Sequence, residues 1–290
     1  MASVSVPLLE IRPRTARKWL PRRKANTHKG DYGKILLLCG AVGFTGAPVM
    51  AARAAARTGA GLIYLGVPES VYPIVAGKLT EPVVFPLPDE NGMFSDAAVP
   101  EILKRLEKCD ACLAGCGMGK SSGTEKVIRA VLQNAKCPLV LDADGINVLA
   151  AHIDVLRSAA CPVILTPHEG EFLRLGGDLT EGRLSAAKKM NRETGATILL
   201  KGHRTLICGK EGCYVNRCGN PGMATGGSGD VLAGIIVSLL GQGLSPVRAA
   251  ALGAWLHGKA GDLCRDLYGE YSMLPTDMIE ALPMILKTGE

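Results

Sequence analysis

The stretch Asn220-Pro-Gly-Met-Ala-Thr-Gly-Gly-Ser-Gly-Asp230 runs straight into an apolar segment over 231–240. This pattern predicts a glycine-rich loop that delivers one carboxylate, Asp230, to the first turn of a buried helix. The free N–H groups of such a turn, with the helix dipole behind them, form an anion site. A lone acid placed where phosphate is welcome suits the abstraction of a proton from a group being phosphorylated. Asp is also a favoured helix cap, but capping does not require four glycines in the nine residues from Gly222 to Asp230. The N–H groups of Gly227, Ser228 and Gly229 are the expected anion hole, with Asp230 as general base.

The elements that must hold this loop are legible as alternating runs. Apolar strands are predicted at 34–39, 62–67, 111–115, 138–141, 162–165 and 198–200, with a hairpin over 205–216. Helices are predicted near 46–58, 97–108, 122–135, 181–194, 229–242, 245–266 and 276–287. Continuous apolar strands alternating with helices indicate an α/β fold with a mostly parallel sheet covered on both faces. With no repeat, low-complexity block or long linker, a single domain is expected.

Ligands of such sheets sit at the carboxyl ends of the strands, and there the loops are rich in glycine and polar residues. They are Gly40-Ala-Val-Gly43-Phe-Thr-Gly46-Ala47, Cys116-Gly117-Met-Gly119-Lys120-Ser121 and Asp142-Ala-Asp144-Gly145-Ile-Asn147. Thr166-Pro-His168-Glu169-Gly-Glu171, Lys201-Gly202-His203-Arg204-Thr205 and the loop of Asp230 complete the set. Two loops imitate other motifs. Gly40, Gly43 and Gly46 have G-x-x-G-x-x-G spacing, not the G-x-G-x-x-G of a dinucleotide loop, although Glu69 stands near the distance for a ribose contact. Gly119-Lys120-Ser121 resembles the end of a P-loop, but Ala114 occupies the place of its first glycine.

Ten cysteines raise the question of a metal. Cys109-x-x-Cys112 followed by Cys116 lies within an apolar strand and has no second close pair, so small buried hydrophobes are expected instead of a zinc site. Seven of the basic residues fall between Arg12 and Lys24, which accounts for the net charge of +6. Without aromatic interleaving or a binding module, this reads as a solvated N-terminal arm and not as a nucleic-acid or membrane surface. No 18-residue apolar run and no signal-peptide core are present, so the chain is expected to be soluble and cytoplasmic.

Taken together, these motifs resemble the ribokinase-like superfamily and, within it, the ADP-dependent NAD(P)H-hydrate dehydratases. The likeness begins at Leu20-Pro-Arg-Arg and His28-Lys29-Gly30-Asp-Tyr-Gly33 and continues through each of the loops above. It ends at Ala254-Trp-Leu-His257-Gly and so covers nearly the whole chain. The Gly-Ser-Gly-Asp loop alone marks only the superfamily; the His28 opening and the Thr-Pro-His-x-Gly-Glu loop narrow it. The division implied is a basic arm over 1–30 and a dehydratase domain over 31–290. Some relatives carry an additional epimerase domain; the residues before the first predicted strand are too few to bury a separate core, so that activity is not expected.

The resemblance implies a hydro-lyase that repairs hydrated NADH and NADPH. The ring hydroxyl is phosphorylated at the expense of ADP, and phosphate then leaves, with AMP as the second product. It implies Ala47, Gly119, His168 and Asp230 at the hydrate. Lys201, Gly202, His203, Arg204, Thr205 and Gly229 belong at the nucleotide, and Glu171 organises Mg2+ through water. A homotetramer is also implied. Other roles stay open. His168 could be a loop hydrogen-bonder, Lys201 could cover a strand end, Asp142 and Asp144 could form a turn, and Glu171 could be a helix-start charge. A small-molecule kinase of the same fold, acting on a vitamin precursor or sugar, and a nucleotide sensor are the alternatives in function.

Overall fold

Ten strands form one sheet in the computed structural model, which describes residues 7–150 and 152–287. In chain order they begin with β1 (Leu8–Glu10), β2 (Lys34–Leu38), β3 (Leu62–Pro68) and β4 (Val83–Leu87). A separate hairpin of β5 (Asp89–Glu90) and β6 (Met93–Phe94) follows. The sheet resumes with β7 (Ala111–Ala114), β8 (Leu139–Leu141), β9 (Val163–Leu165), β10 (Thr197–Leu200), β11 (Leu206–Gly209) and β12 (Gly212–Val215). Across the sheet the order is β1-β12-β11-β10-β9-β8-β7-β2-β3-β4. Only the pairings of β11, with β10 and β12, are antiparallel.

The central strands β7, β8, β9 and β10 are buried along their whole length because both faces are covered. Ile35, Leu37 and Cys39 enter one core and Leu36 and Leu38 the other, as the two-residue period of a strand requires. Helices Gly46–Arg57, Ser228–Gly241, Pro246–Ser272 and Pro275–Lys287 cover the first face. Helices Val99–Leu106, Ser122–Asn134 and Arg183–Thr194 cover the second. The expected α/β architecture and single domain are therefore observed.

Besides the small β5–β6 hairpin, two strands of the main sheet escaped the sequence pattern, and both lie at its edges. β4 contains Pro86, which an edge strand tolerates. β1 is three residues long and sits in the segment read as a solvated arm. That reading needs correction: β1 pairs with β12, Ile11 and Ala16 are buried, and Trp19 packs edge-on against Tyr214 at 5.4 Å. The basic side chains stay exposed while the apolar ones beside them join the fold. Residues 1–6 of that segment lie outside the described residues. The His28-Lys29-Gly30 opening also has a structural place. His28 and Asp31 form a capping box on a short turn just before β2, at the sheet edge opposite the functional loops.

Candidate active site

Helix Ser228–Gly241 begins abruptly. Gly227 precedes it with φ of 98°, a left-handed conformation that glycine adopts without strain, and it offers no side chain to cap the turn. The N–H of Ser228 lies 3.3 Å from Thr225 O, and that of Val231 lies 3.2 Å from Gly227 O. Between them the N–H groups of Gly229 and Asp230 are the open donors of this turn. Of the three donors expected at the anion hole, Ser228 is thus already engaged, and Asp230 contributes its own N–H.

Asp230 faces a second carboxylate that follows β8. Asp142 is only 2% exposed. The chain turns sharply after it, because Ala143 has φ of 47°, a conformation that costs energy for a residue with a side chain. Gly115 makes this possible from the neighbouring loop, since a Cβ there would lie 1.9 Å from Asp142 O. Asp142 Oδ1 accepts bonds from Lys201 Nζ and Thr166 Oγ1, both at 2.8 Å, and Oδ2 faces the Cys116 thiol at 3.9 Å. Ligand atoms of Cys116, Asp142 and Asp230 lie within 4.8 Å of one another. Gly229 closes the arrangement, because a Cβ on it would stand 3.5 Å from Lys201 Nζ and 3.6 Å from Asp142 Oδ2.

The charges are unequal in consequence. Burial pushes the Asp230 carboxyl up to about 7, and the Asp142 carboxylate adds to that shift; Cys116 and Lys201 pull against it. Burial alone would lower Lys201, but Asp142 and then Glu171, whose Oε2 is 3.8 Å away, hold its ammonium above the usual range. A carboxylate with an affinity for protons near neutrality, beside open N–H donors, can take a proton from a hydroxyl while an anion sits on the helix end.

The other predicted residues lie in the loops that follow β2, β7, β9 and β10. Ala47 opens helix Gly46–Arg57 and touches the next loop, where a Cβ on Gly117 would be 2.9 Å from its own. Gly119 N–H donates to Asp144 Oδ2 at 2.9 Å, and Asn147 links Asp144 to Arg174. His168 caps the helix Glu169–Arg174: its Nδ1 accepts from Glu171 N–H at 3.3 Å, and its own N–H donates to Glu171 Oε2 at 3.0 Å. Its ring remains half exposed. Lys201 turns inward to Asp142, whereas Gly202, His203 and Arg204 are exposed. Thr205 Oγ1 donates to Gly202 O at 3.0 Å, and the Arg183 guanidinium binds the carbonyls of Leu200, Lys201 and His203.

Sequence reasoning assigned no part to Cys116, Thr166 or Arg183, and it left Asp142 as a possible turn former. The signal for Asp142 was its position directly after the buried run Leu139–Leu141 at a strand's carboxyl end. Cys109, Cys112 and Cys116 do not converge on a point. Among the described residues the one set of three candidate ligands is Cys116, Asp142 and Asp230. Burial pushes Cys109 up to about 12 and Cys112 well above the ordinary thiol range.

Residues 35–284 match the family described as NAD(P)H-hydrate dehydratase. The chain belongs to this family. It is 45% identical over 280 residues to a bifunctional NAD(P)H-hydrate repair enzyme of Moorella thermoacetica, covering 94% of this chain and 53% of that one. It is 37% identical over 257 residues to an ADP-dependent (S)-NAD(P)H-hydrate dehydratase of Neisseria meningitidis serogroup B, covering 85% and 82%. The ADP/ATP-dependent NAD(P)H-hydrate dehydratase of Bacillus subtilis, co-crystallised with ATP and Mg2+, superposes with a TM-score of 0.82 at 30% identity. That match covers 99% of this chain and 100% of the other. The chain spans about half the length of the bifunctional relatives. The ribokinase-like fold and the membership of a hydrate-repair family that the motifs implied are both borne out. No helix among the described residues is long and apolar enough to cross a membrane.

Proposed function

We propose that this member of the hydrate dehydratase family restores NADH and NADPH from their (S)-hydrates at the expense of ADP. The observation that carries the reading is Asp230, a half-buried carboxyl pushed up to about 7 beside the open N–H groups of a helix start. Asp230 takes the proton of the ring hydroxyl as its oxygen attacks the β-phosphorus of ADP, and AMP leaves. The Gly229 and Asp230 N–H groups hold the phosphoryl oxygens. The ring nitrogen lone pair then expels phosphate, and loss of a ring proton regenerates the reduced nicotinamide. Hydroxide is a poor leaving group and phosphate a good one, which is why the phosphorylation is needed.

In this reading Ala47, Gly119 and His168 line the hydrate side. Lys201, Gly202, His203, Arg204, Thr205 and Gly229 form the nucleotide side, with Arg183 holding their loop. Mg2+ is tested by the donors present. The Glu171 carboxylate is committed to the His168 N–H at 3.0 Å and faces the Lys201 ammonium. It suits an outer position, reached through water, for an ion carried mainly by nucleotide phosphates, and Mg2+ sheds its waters reluctantly. The Cys116 thiol is a poor partner for such a hard ion. Bound there, the ion would offset phosphate charge. We further infer a cytoplasmic homotetramer acting on small molecules only, without nucleic-acid or membrane partners.

The test is spectrophotometric. Purified protein, NADH-hydrate and Mg2+ are mixed with ADP or ATP, and the reduced-nicotinamide absorbance should return with stoichiometric AMP and phosphate when ADP is supplied. Phosphorylated product that accumulates without that absorbance would identify a plain kinase instead.

A further inference from the structure

His257 belongs to none of the loops described above. It stands on helix Pro246–Ser272, which packs along helix Ser228–Gly241. Its ring is 8% exposed, and Nε2 lies 3.2 Å from Ser228 Oγ; Ser228 is itself 7% exposed. A serine at the cap position ordinarily turns its hydroxyl back to accept from the N–H groups of the first turn, but Ser228 stands one place later, as the first helical residue. The cap position here is Gly227, which has no side chain, and the Ser228 hydroxyl is tied across the interface to His257. With no side chain at the cap, the N–H groups of Gly229 and Asp230 are left for an external anion.

Burial lowers the His257 ring to about 4, and the nearby Lys201 ammonium works in the same direction against a contact with the Ser228 backbone. The ring is therefore neutral at neutral pH. A neutral imidazole offers one donor and one acceptor nitrogen, and a hydroxyl can meet either.

We propose that His257 is a positioning residue that anchors the first residue of the helix through the Ser228 hydroxyl, and so keeps the anion-binding turn in place and Asp230 aimed at the reacting hydroxyl. The assignment rests on the ADP-driven reading for its consequence in turnover, but not for its consequence in anion binding. His257 touches no substrate in this role; it acts through Ser228.

Four variants test it: His257→Ala, His257→Gln, Ser228→Ala and the double alanine variant. His257→Ala should lower kcat about 10- to 100-fold while KM for NADH-hydrate moves less than about threefold, because the interaction is felt by the transferring phosphoryl group. Inorganic phosphate, titrated by calorimetry, should bind at least about fivefold more weakly to the same variant. The Gln amide nitrogen can occupy the place of Nε2, so His257→Gln should recover most of kcat. The double variant should be no slower than His257→Ala alone, since both changes remove one interaction.

Unchanged kcat and phosphate affinity in a folded His257→Ala protein would overturn the proposal, as would multiplicative losses in the double variant. Should His257→Ala not fold, Ser228→Ala removes a single hydroxyl and decides the matter by the same two measurements. A loss confined to thermal stability, with kcat per folded molecule intact, would also overturn it. Wild-type protein inert towards hydrate and ADP would sink the functional reading alone, and the phosphate titrations would still decide the role of His257.

Discussion

Replacement of Asp142 by asparagine should move the acid limb of the pH–rate profile without moving the fold. Asp142 and Asp230 present oxygens within 4.8 Å of one another, and burial together with this neighbour holds Asp230 near 7. At an effective dielectric of about 20, unit charges at that separation repel by about 3.5 kcal/mol, equivalent to about 2.5 pK units. Lys201, bonded to Asp142 Oδ1 at 2.8 Å, cancels much of that repulsion. A net shift of about 1 unit is expected. The direction follows from the charge: without Asp142 the ionised form of Asp230 is less penalised, so its affinity for protons falls. Burial, the larger cause, remains, and the value stays above the ordinary 3.8 of aspartate. Profiles of kcat/KM for NADH-hydrate, recorded from about pH 5 to about pH 9, should place the limb near 6 in the variant and near 7 in the wild type. An unmoved limb, or one displaced to higher pH, would refute the assignment of Asp230 as the base and of Asp142 as the group that tunes it.

Asp230→Asn should keep the fold and lose turnover by about 10²–10⁴-fold; a near-normal rate would reduce Asp230 to a helix cap. The same variant should gain thermal stability in alkaline buffer. The folded state holds the Asp230 proton more tightly than the unfolded chain does, so that contribution is full below about 3.8 and is lost as pH rises through about 7. Its advantage over wild type should therefore appear above pH 7 and fade on acidification, as melting curves at several pH values would show. Lys201→Ala should weaken ADP by about 10- to 100-fold, more than it weakens the hydrate, because a charged donor is lost; equal weakening in calorimetry would place Lys201 elsewhere. His168→Ala should raise KM for the hydrate by up to about tenfold with little change for ADP; the reverse pattern would exchange the two substrate sides.

The layout of this centre was legible in the sequence where the chain has no choice. A strand buried on both faces must be apolar along its whole length, so β2, β7, β8, β9 and β10 stand out, and the polar residues that follow them fall on one edge. Three-residue β1 has no room to show a period, and Pro86 hides β4. Orientation is harder to read than position. Asp142, Thr166 and Cys116 come together from three loops, and each follows a different strand, so no spacing within one motif reveals the contact. His257 is harder still, because its partner lies 29 positions away on another helix. Conversely, the His28-Lys29-Gly30 opening is conspicuous in the sequence yet lies at the opposite sheet edge.

The electrostatics of the centre also bear on when Asp230 works. The free donors at the helix start and the Lys201 ammonium favour the ionised carboxylate, whereas burial and Asp142 favour the proton; with neither substrate present the two sides meet near neutrality. On the proposed reading, ADP would bring further negative charge to the same turn, and a hydrated nicotinamide ring beside it would exclude more water. Both changes act in the direction of burial and Asp142. The proton affinity of Asp230 is therefore greatest when both substrates are in place, the moment at which the ring hydroxyl must give up its proton. Departure of AMP and phosphate removes those charges and readmits water, which returns Asp230 to its ionised form. On this account the buried second carboxylate at Asp142, costly to the fold by itself, sets the base at a value that substrate binding can tip.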